Sequence, residues 1–249
     1  MRIYRRCVIG ALSMEIDQIM HDAYSHTRVA LADHPARWLA LIVIGLIPFV
    51  NLIAIGYFAR ILRGGDKPAD LDGMVPLFVD GLRLAVASVV YWLVMGFILL
   101  LFAGGAFLVV GGVSFFNAPF ERASLLGLAL GVVSIGVVYL LVVVASVVIV
   151  AVTLVYLMAL VHAARTESIG RAFAIGEILE QIHGVGWFNY LSAILVLNFA
   201  VTLLVYFVVG FGLLTLGIGL LLVLPLLPAL GIFSARYLSR IYDGAPAAI

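Results

Sequence analysis

Acidic and basic side chains are concentrated between residues 60 and 83. The acidic members are Asp66, Asp70, Asp72 and Asp80, and the basic members are Arg60, Arg63, Lys67 and Arg83. Clustered carboxylates can bind a divalent ion, but the interleaved cations favour a mixed-charge, solvated loop. The four basic residues are therefore predicted to contact anionic lipid headgroups, each contributing about 1 kcal/mol.

The remaining reactive residue types do not form a catalytic pattern. The sequence has five histidines without ligand spacing and one cysteine, Cys7, which excludes an internal disulfide and a thiolate metal site. HExxH and GxSxG motifs are absent from the sequence. We predict no enzymatic activity, no metal and no cofactor. A membrane enzyme would need polar groups to converge, for instance Asp80, Arg83, Glu177 and His183.

Composition places the chain in a membrane. It is 65% hydrophobic and 11% charged, whereas soluble domains are about 45–50% apolar and about 25% charged. The surplus apolar surface must face lipid, so membrane lipids are the predicted partners. A net charge of +1 implies no nucleic-acid partner. We predict one membrane domain over residues 14–242, an upstream extension over 1–13 that precedes a start at Met14, and a flexible tail over 243–249.

Four long stretches contain no Asp, Glu, Lys or Arg, namely 38–59, 84–120, 123–164 and 181–235. A helix needs about 20 apolar residues to cross the hydrocarbon core, and backbone that meets lipid must be helical. The last three stretches predict four crossings, at 84–107, 124–164, 187–209 and 218–241. Paired glycines, Gly104-Gly105 and Gly111-Gly112, are expected to end the first of them.

Two further segments have the apolar stripe of an amphipathic helix, Met14–Ala32 and Thr166–His183. Each is predicted to lie in the headgroup region. The first has an equally open alternative as a soluble cap on the bundle.

The first apolar stretch contains a helix breaker, Pro48, with Asn51 one turn later. A broken helix can expose its backbone dipoles to a transported substrate. Alternatively, Asn51 caps the second half-helix and bonds its free N–H groups.

The positions of arginine and lysine predict the topology. If 38–59 crosses the membrane, giving five crossings, the two sides hold six and eight of the 14 basic residues. If 38–59 enters and returns as a re-entrant hairpin, only Arg122 is left on the far side and 13 of the 14 share one side. We therefore predict an all-α, polytopic membrane helix bundle with four transmembrane helices, a re-entrant hairpin and cytoplasmic termini, with five transmembrane helices as the alternative.

Several sequence blocks resemble a known family. They are WLALIVIGLIPFVNLIAIGYFARILRGGDKP, LFVDGLRL, GRAFAIGEILEQI and NYL. They are similar to the domain-of-unknown-function family numbered 4013, which contains archaeal and bacterial membrane proteins. The resemblance spans residues 14–242 and is clearest at Gly56-Tyr57, Arg60–Gly64, Asp80-Gly81 and Ala172-Phe173. It implies a multi-pass membrane protein and no particular activity.

Two functions follow as hypotheses. The first is a non-enzymatic structural, scaffolding or lipid-interacting component of the cell membrane, which can assemble into a homo- or hetero-oligomer. The second is a small-solute or lipid transporter, or a transporter accessory subunit, that uses the broken helix at Pro48 and Asn51. A hydrated cavity that reaches Asn51 from one side would favour the transporter, whereas a dry, tightly packed bundle would exclude it.

Overall fold

The computed structural model describes residues 2–65, 71, 73–117 and 125–244, with side chains for 16–65, 71, 73–113, 125 and 127–244. Within these residues the chain forms α-helices and two 3-10 helices and no strand. The α-helices are α1 (Arg2–Ala32), α2 (Pro35–Leu46), α3 (Asn51–Leu62), α4 (Met74–Asn117), α5 (Leu125–Thr166), α6 (Ile175–Val185), α7 (Trp187–Leu214) and α8 (Val223–Asp243). The 3-10 helices are Gly170–Phe173 and Ile218–Leu222.

Four helical segments are long and apolar enough to cross a membrane, which confirms the all-α polytopic fold. They are Met74–Val113, Gly127–Thr166, Trp187–Leu214 and Ile218–Asp243, with mean hydropathy between 2.3 and 3.1. A fifth span is compatible with the lengths if Ile16–Ala32 and Pro35–Leu46, which meet at 93°, are counted together. Whether the chain re-enters at the first apolar stretch stays a prediction.

Helix α4 is longer than the sequence predicts. It continues through both glycine pairs, Gly104-Gly105 and Gly111-Gly112, and ends at Asn117. In apolar surroundings no water competes for the backbone hydrogen bonds, so a helix keeps them even where glycine lowers its propensity. The expectation that the glycine pairs end this crossing is wrong. Helix α5 is a single helix, as predicted, and residues 118–124 lie outside the described residues.

Both predicted amphipathic segments contain helix. Helix α1 includes the first segment and begins at Arg2, so residues 2–13 of the predicted extension belong to the same helix. The second segment is divided into a 3-10 turn and α6, because Ala174 between them has φ −75° and ψ 69°, which is not helical geometry. The predicted tail begins where α8 ends, and residues 245–249 lie outside the described chain.

The chain forms two compact units, of which the larger contains residues 1–87 and 157–249. In this unit α8 packs against α1, α2, α3, α6 and α7. Its core contains fully buried aromatic and branched side chains, among them Tyr57, Tyr190, Tyr237, Ile178 and Ile232. The Tyr237 hydroxyl donates to the Ala193 carbonyl at 3.0 Å and joins α8 to α7.

The smaller unit, Ser88–Tyr156, consists of segments of α4 and α5. The Tyr156 hydroxyl donates to the Ser88 hydroxyl at 3.1 Å, and the rings of Tyr91 and Tyr156 lie 5.3 Å apart. Most large side chains of this unit are exposed, such as Trp92 at 65% and Val132 at 70%. The unit therefore presents apolar surface on most of its sides.

Candidate functional site

A helix break lies where Pro48 predicts it, between the end of α2 at Leu46 and the start of α3 at Asn51. Proline disfavours helical geometry in the residue before it, and Ile47 is extended with φ −97° and ψ 115°. Phe49 then adopts a φ of 68°, which is unusual for a residue with a side chain. The break is thus fixed by local backbone geometry.

Asn51 does not cap α3, so the capping interpretation is wrong. The N-cap position belongs to Val50, and no side chain caps the helix. The carbonyls of the turn accept the first N–H groups instead: the Asn51 N–H donates to Ile47 at 3.0 Å and that of Leu52 donates to Phe49 at 3.2 Å. The Asn51 side chain is consequently exposed.

This side chain opens into a groove between α2, α3 and α8. The groove has a volume of about 260 Å³, and its lining residues are Leu41, Ile42, Gly45, Leu46, Asn51, Ala54, Ile55, Phe58, Leu224, Leu227 and Pro228. Asn51 is the one polar side chain among them. Both predicted residues at the break therefore lie at or beside an apolar concavity, although Pro48 itself does not line it.

Arg63 binds inside the protein. Its Nη2 lies 2.6 Å from Asp80 Oδ1, its Nε donates to the Ala164 carbonyl at 3.0 Å, and its Nη1 lies 3.5 Å from Glu167. The guanidinium group thus joins the end of α3 to α4 and α5. Arg83 is the second cation beside Asp80, at 3.6 Å.

Arg165 makes a similar junction between α5 and the end of α8. Its Nη1 lies 2.6 Å from Asp243, and its Nη2 donates to the Ser239 carbonyl and hydroxyl at 3.2 and 3.0 Å. The same guanidinium lies over the Tyr242 ring, 4.7 Å from its centroid, which adds a cation–π contact.

Asp22 ties α1 to α8. Its carboxylate accepts hydrogen bonds from Arg240 at 2.8 and 3.0 Å and from Arg236 at 2.8 Å. The hydrogen bonds from Arg240 and then Arg236 lower the pKa of Asp22 to about 2, against the effect of burial. Arg236, which is 3% exposed, also donates to the Gly65 carbonyl.

A short chain of hydrogen bonds connects α8, α5 and α6. His162 Nδ1 lies 2.9 Å from the Tyr242 hydroxyl, and His162 Nε2 lies 3.0 Å from Glu177. Arg171 donates to the same carboxylate at 2.6 Å. The hydrogen bond from Arg171 and then that from His162 lower the pKa of Glu177. The groove at Asn51 is lined by none of these residues.

The four predicted headgroup contacts differ in their surroundings. Arg63 is bound by the protein, as described, and Lys67 lies outside the described residues. Arg60 is half-buried, and the Arg83 side chain is 40% exposed. Headgroup contact stays a prediction for these residues, and the structure shows a different role for Arg63 in joining helices.

Sequence reasoning missed the contact between α3 and α4. A Cβ on Gly56 would overlap the Leu77 carbonyl, and a Cβ on Gly81 would overlap the Leu52 carbonyl. The two backbones touch at this crossing because neither residue has a side chain. The signal for it in the sequence is the pair of blocks Gly56-Tyr57 and Asp80-Gly81. The GxxxG spacing at Gly127 and Gly131, which also permits close helix approach, does not mark such a contact. A Cβ on Gly131 would meet no atom within 4 Å.

A second, wider concavity of about 630 Å³ lies between α1, α7 and α8. Its polar lining residues are Gln18, Asp22, Asn189, Arg240 and Asp243. Asp22 and Arg240 bind each other and Asp243 binds Arg165, so these charged groups hold helices together. Among the described residues, no group of three or more His, Cys, Asp or Glu could hold a metal ion.

The fold and these contacts define a polytopic, all-α protein whose polar helix ends are joined by arginines. The family model for proteins of unknown function, DUF4013, matches residues 39–224. The chain therefore belongs to the DUF4013 family. No curated protein matches it, and no solved structure does.

Proposed function

We propose that this protein is a non-enzymatic, lipid-interacting component of the cell membrane with a structural or scaffolding role. The observation that carries the proposal is that arginine side chains bond within the protein, whereas large apolar side chains are exposed on its outside. Arg63, Arg165 and Arg236 bond to other helices of the protein. Large apolar side chains cover the outside of the helices, as at Leu39, which is 63% exposed.

This arrangement supports lipid contact because the exposed apolar area needs a hydrocarbon environment. The basic residues of the 60–83 segment support a preference for anionic lipid, since each cation near an anionic surface contributes about 1 kcal/mol. Arg60, Lys67 and Arg83 are the residues proposed for this role.

Lipid-dependent stability tests the proposal. Purified protein in detergent is heated with added phosphatidylcholine or phosphatidylglycerol, and the unfolding temperature is measured. Both lipids should raise it, and phosphatidylglycerol should raise it further. The triple change Arg60→Gln, Lys67→Gln and Arg83→Gln should abolish the difference between the lipids, while Glu180→Gln should keep it. An unfolding temperature that neither lipid changes would contradict the proposal.

We also propose that α2 and α3 form a re-entrant hairpin and that both termini are cytoplasmic. The break at residues 47–50 and the shared side of 13 of the 14 basic residues support this topology. Reporter fusions after residues 65 and 118 test it. The fusion after 65 should give a cytoplasmic signal and that after 118 an extracytoplasmic one; an extracytoplasmic signal at 65 would exclude the hairpin.

Lipid transport is a second candidate, favoured by the exposed amide of Asn51 in the groove. Proteoliposomes with a fluorescent phospholipid test it, since a membrane-impermeant reductant quenches only the outer leaflet. Faster quenching of the inner pool by the wild-type protein, and its loss on Asn51→Leu, would support transport. Quenching equal to that of protein-free vesicles would count against it.

A further inference from the structure

The groove between α2, α3 and α8 is held open by contacts on two sides. The Trp38 indole N–H donates to the Pro225 carbonyl at 2.9 Å and fixes α2 on α8. On the other side Gly231 leaves room for the Phe58 ring, which a Cβ there would strike. The α3 wall is therefore seated on α8 as well.

Two polar groups, both on residues that line this otherwise apolar groove, are candidates to bind an occupant. The first is the exposed amide of Asn51. The second is the carbonyl of Leu224, because Pro228 lies four residues later inside α8 and has no N–H to donate to it. Both Leu224 and Pro228 line the groove.

The lining specifies the chemistry of an occupant. Its apolar side chains favour a hydrocarbon chain, and none of its side chains is charged, so a neutral ligand is favoured over an ion. An asparagine amide both donates and accepts hydrogen bonds, whereas a carbonyl only accepts. A hydroxyl group on the chain complements both, since it donates to one and accepts from the other.

We propose that this groove binds the hydrocarbon chain of a neutral membrane lipid that carries a hydroxyl group. The site rests on the lipid-interacting function proposed above and gives it a ligand class. The volume of about 260 Å³ lies just below the usual range of about 300–1,000 Å³ for small-molecule pockets. It accordingly holds part of one chain, with the remainder of the lipid in the bilayer.

Photolabelling tests the site with a dodecanol that carries a diazirine in its chain. After illumination of the purified protein in detergent, labelled peptides are identified by mass spectrometry. Labelling should concentrate on α2, α3 and the start of α8. Decanol should compete with the probe about fivefold to tenfold better than decane does, as one net hydrogen bond predicts. Label spread evenly over α4, α5 and α7, or equal competition by the two compounds, would overturn the proposal.

Two variants separate the hydroxyl contact from the groove itself. Asn51→Leu should remove the preference for decanol over decane, whereas Asn198→Leu, at another exposed asparagine on α7, should keep it. Gly45→Leu should fill the groove and abolish labelling there, because a Cβ on Gly45 meets no atom within 4 Å. Gly131→Leu, equally unobstructed, should leave labelling unchanged.

The outcomes distinguish this site from the broader proposal. If phospholipid still raises the unfolding temperature but Asn51→Leu and Gly45→Leu label like wild type, the groove site is wrong and the lipid-interacting function stands. If either variant fails to fold, the comparison of decanol with decane on the wild-type protein alone decides the question.

Discussion

The two units of this protein are built from similar apolar helices but depend on different contacts. In the larger unit, ion pairs and close backbone contacts join helices, as between Arg63 and Asp80 at 2.6 Å. Among the described residues of the smaller unit, the side-chain contacts that join α4 to α5 include a hydroxyl pair, a hydroxyl–sulfur contact and a pair of tyrosine rings. In the most apolar stretches of α4 and α5, 6% of the residues are buried inside the protein. The corresponding shares are 17% and 22% in the spans that contain α7 and α8.

This difference indicates which forces specify each unit. Apolar side chains gain little by leaving lipid for protein, so packing and hydrogen bonds must drive helix association in a membrane. The larger unit supplies such contacts in abundance and should resist detergent. The described residues of the smaller unit are joined by neutral contacts of the kinds named above, so this unit should depend more on surrounding lipid for its order.

The largest expected effect is at the crossing of α3 and α4. Gly81→Leu places a side chain against the Leu52 carbonyl, and a backbone collision cannot be relieved by a rotamer change. We expect a loss of at least about 3 kcal/mol and aggregation on size-exclusion chromatography. Gly131→Leu in the smaller unit, where space is open, should elute as wild type. If Gly81→Leu and Gly131→Leu elute alike, the proposed difference between the contacts of the two units is wrong.

A smaller loss is expected when the charge at α4 is removed. Asp80→Ala leaves Arg63 without its partner at 2.6 Å. Breaking a buried pair costs about 3–5 kcal/mol; because the Arg63 side chain is 25% exposed, we expect about 2 kcal/mol. Thermal unfolding in detergent measures this loss. Glu180→Ala, at an exposed residue, should change stability by less than about 0.5 kcal/mol. A loss in this variant as large as that of Asp80→Ala would show that removing any carboxylate lowers the unfolding temperature.

Acid should weaken the attachment of α1. The pKa of Asp22 is about 2 in the protein against 3.8 ordinarily. A lowered pKa means that the contribution is complete above pH 3.8 and disappears as the pH falls through 2. After allowance for solvent exposure the contribution is about 1 kcal/mol. Hydrogen exchange of α1 should accelerate over this range.

Asp22→Asn is the decisive variant for this pH effect. It should exchange faster at neutral pH and lose the acid dependence, whereas Asp17→Asn, at an exposed carboxyl of the same helix, should behave as wild type. An acid transition that persists in Asp22→Asn would assign the effect to another group.

The smallest effect is expected in the smaller unit. Tyr156→Phe removes the hydroxyl that donates to Ser88 at 3.1 Å, and such a bond contributes about 1 kcal/mol or less. Both aromatic rings remain, so the ring contact with Tyr91 should persist. Thermal unfolding should shift less than it does for Asp80→Ala. A larger shift would mean that the smaller unit, too, is specified by its polar contacts.

The sequence predicts the membrane helices well because hydropathy reports directly on contact with lipid. The four spans and the break at Pro48 follow from composition and proline geometry alone. The course of α4 through Gly104-Gly105 and Gly111-Gly112 does not, because turn signals derive from proteins in which water competes for the backbone.

The contacts of the larger unit are harder to predict because they join distant parts of the chain. The residues around Gly56 and Gly81 in the sequence do not indicate that these two glycines contact the same helix crossing. Arg63 is likewise predicted as a surface cation, because the sequence does not show that Asp80 lies beside it. The exposure of the Asn51 side chain is equally hard to predict, because it depends on the geometry of the turn. The carbonyls of the turn, and not the asparagine side chain, accept hydrogen bonds from the first N–H groups of α3.

The bonds from Asp22 to Arg236 and Arg240 join residues 214 and 218 positions apart. A ribosome must synthesise all of these intervening residues before Arg236 and Arg240 can hold α1. Helix α1 is thus synthesised long before it is secured, and the Asp22 carboxylate stays in contact with water or headgroups until α8 has been inserted. Truncation of α8 during biosynthesis should therefore expose α1 to proteases, although α4 and α5 have already been synthesised.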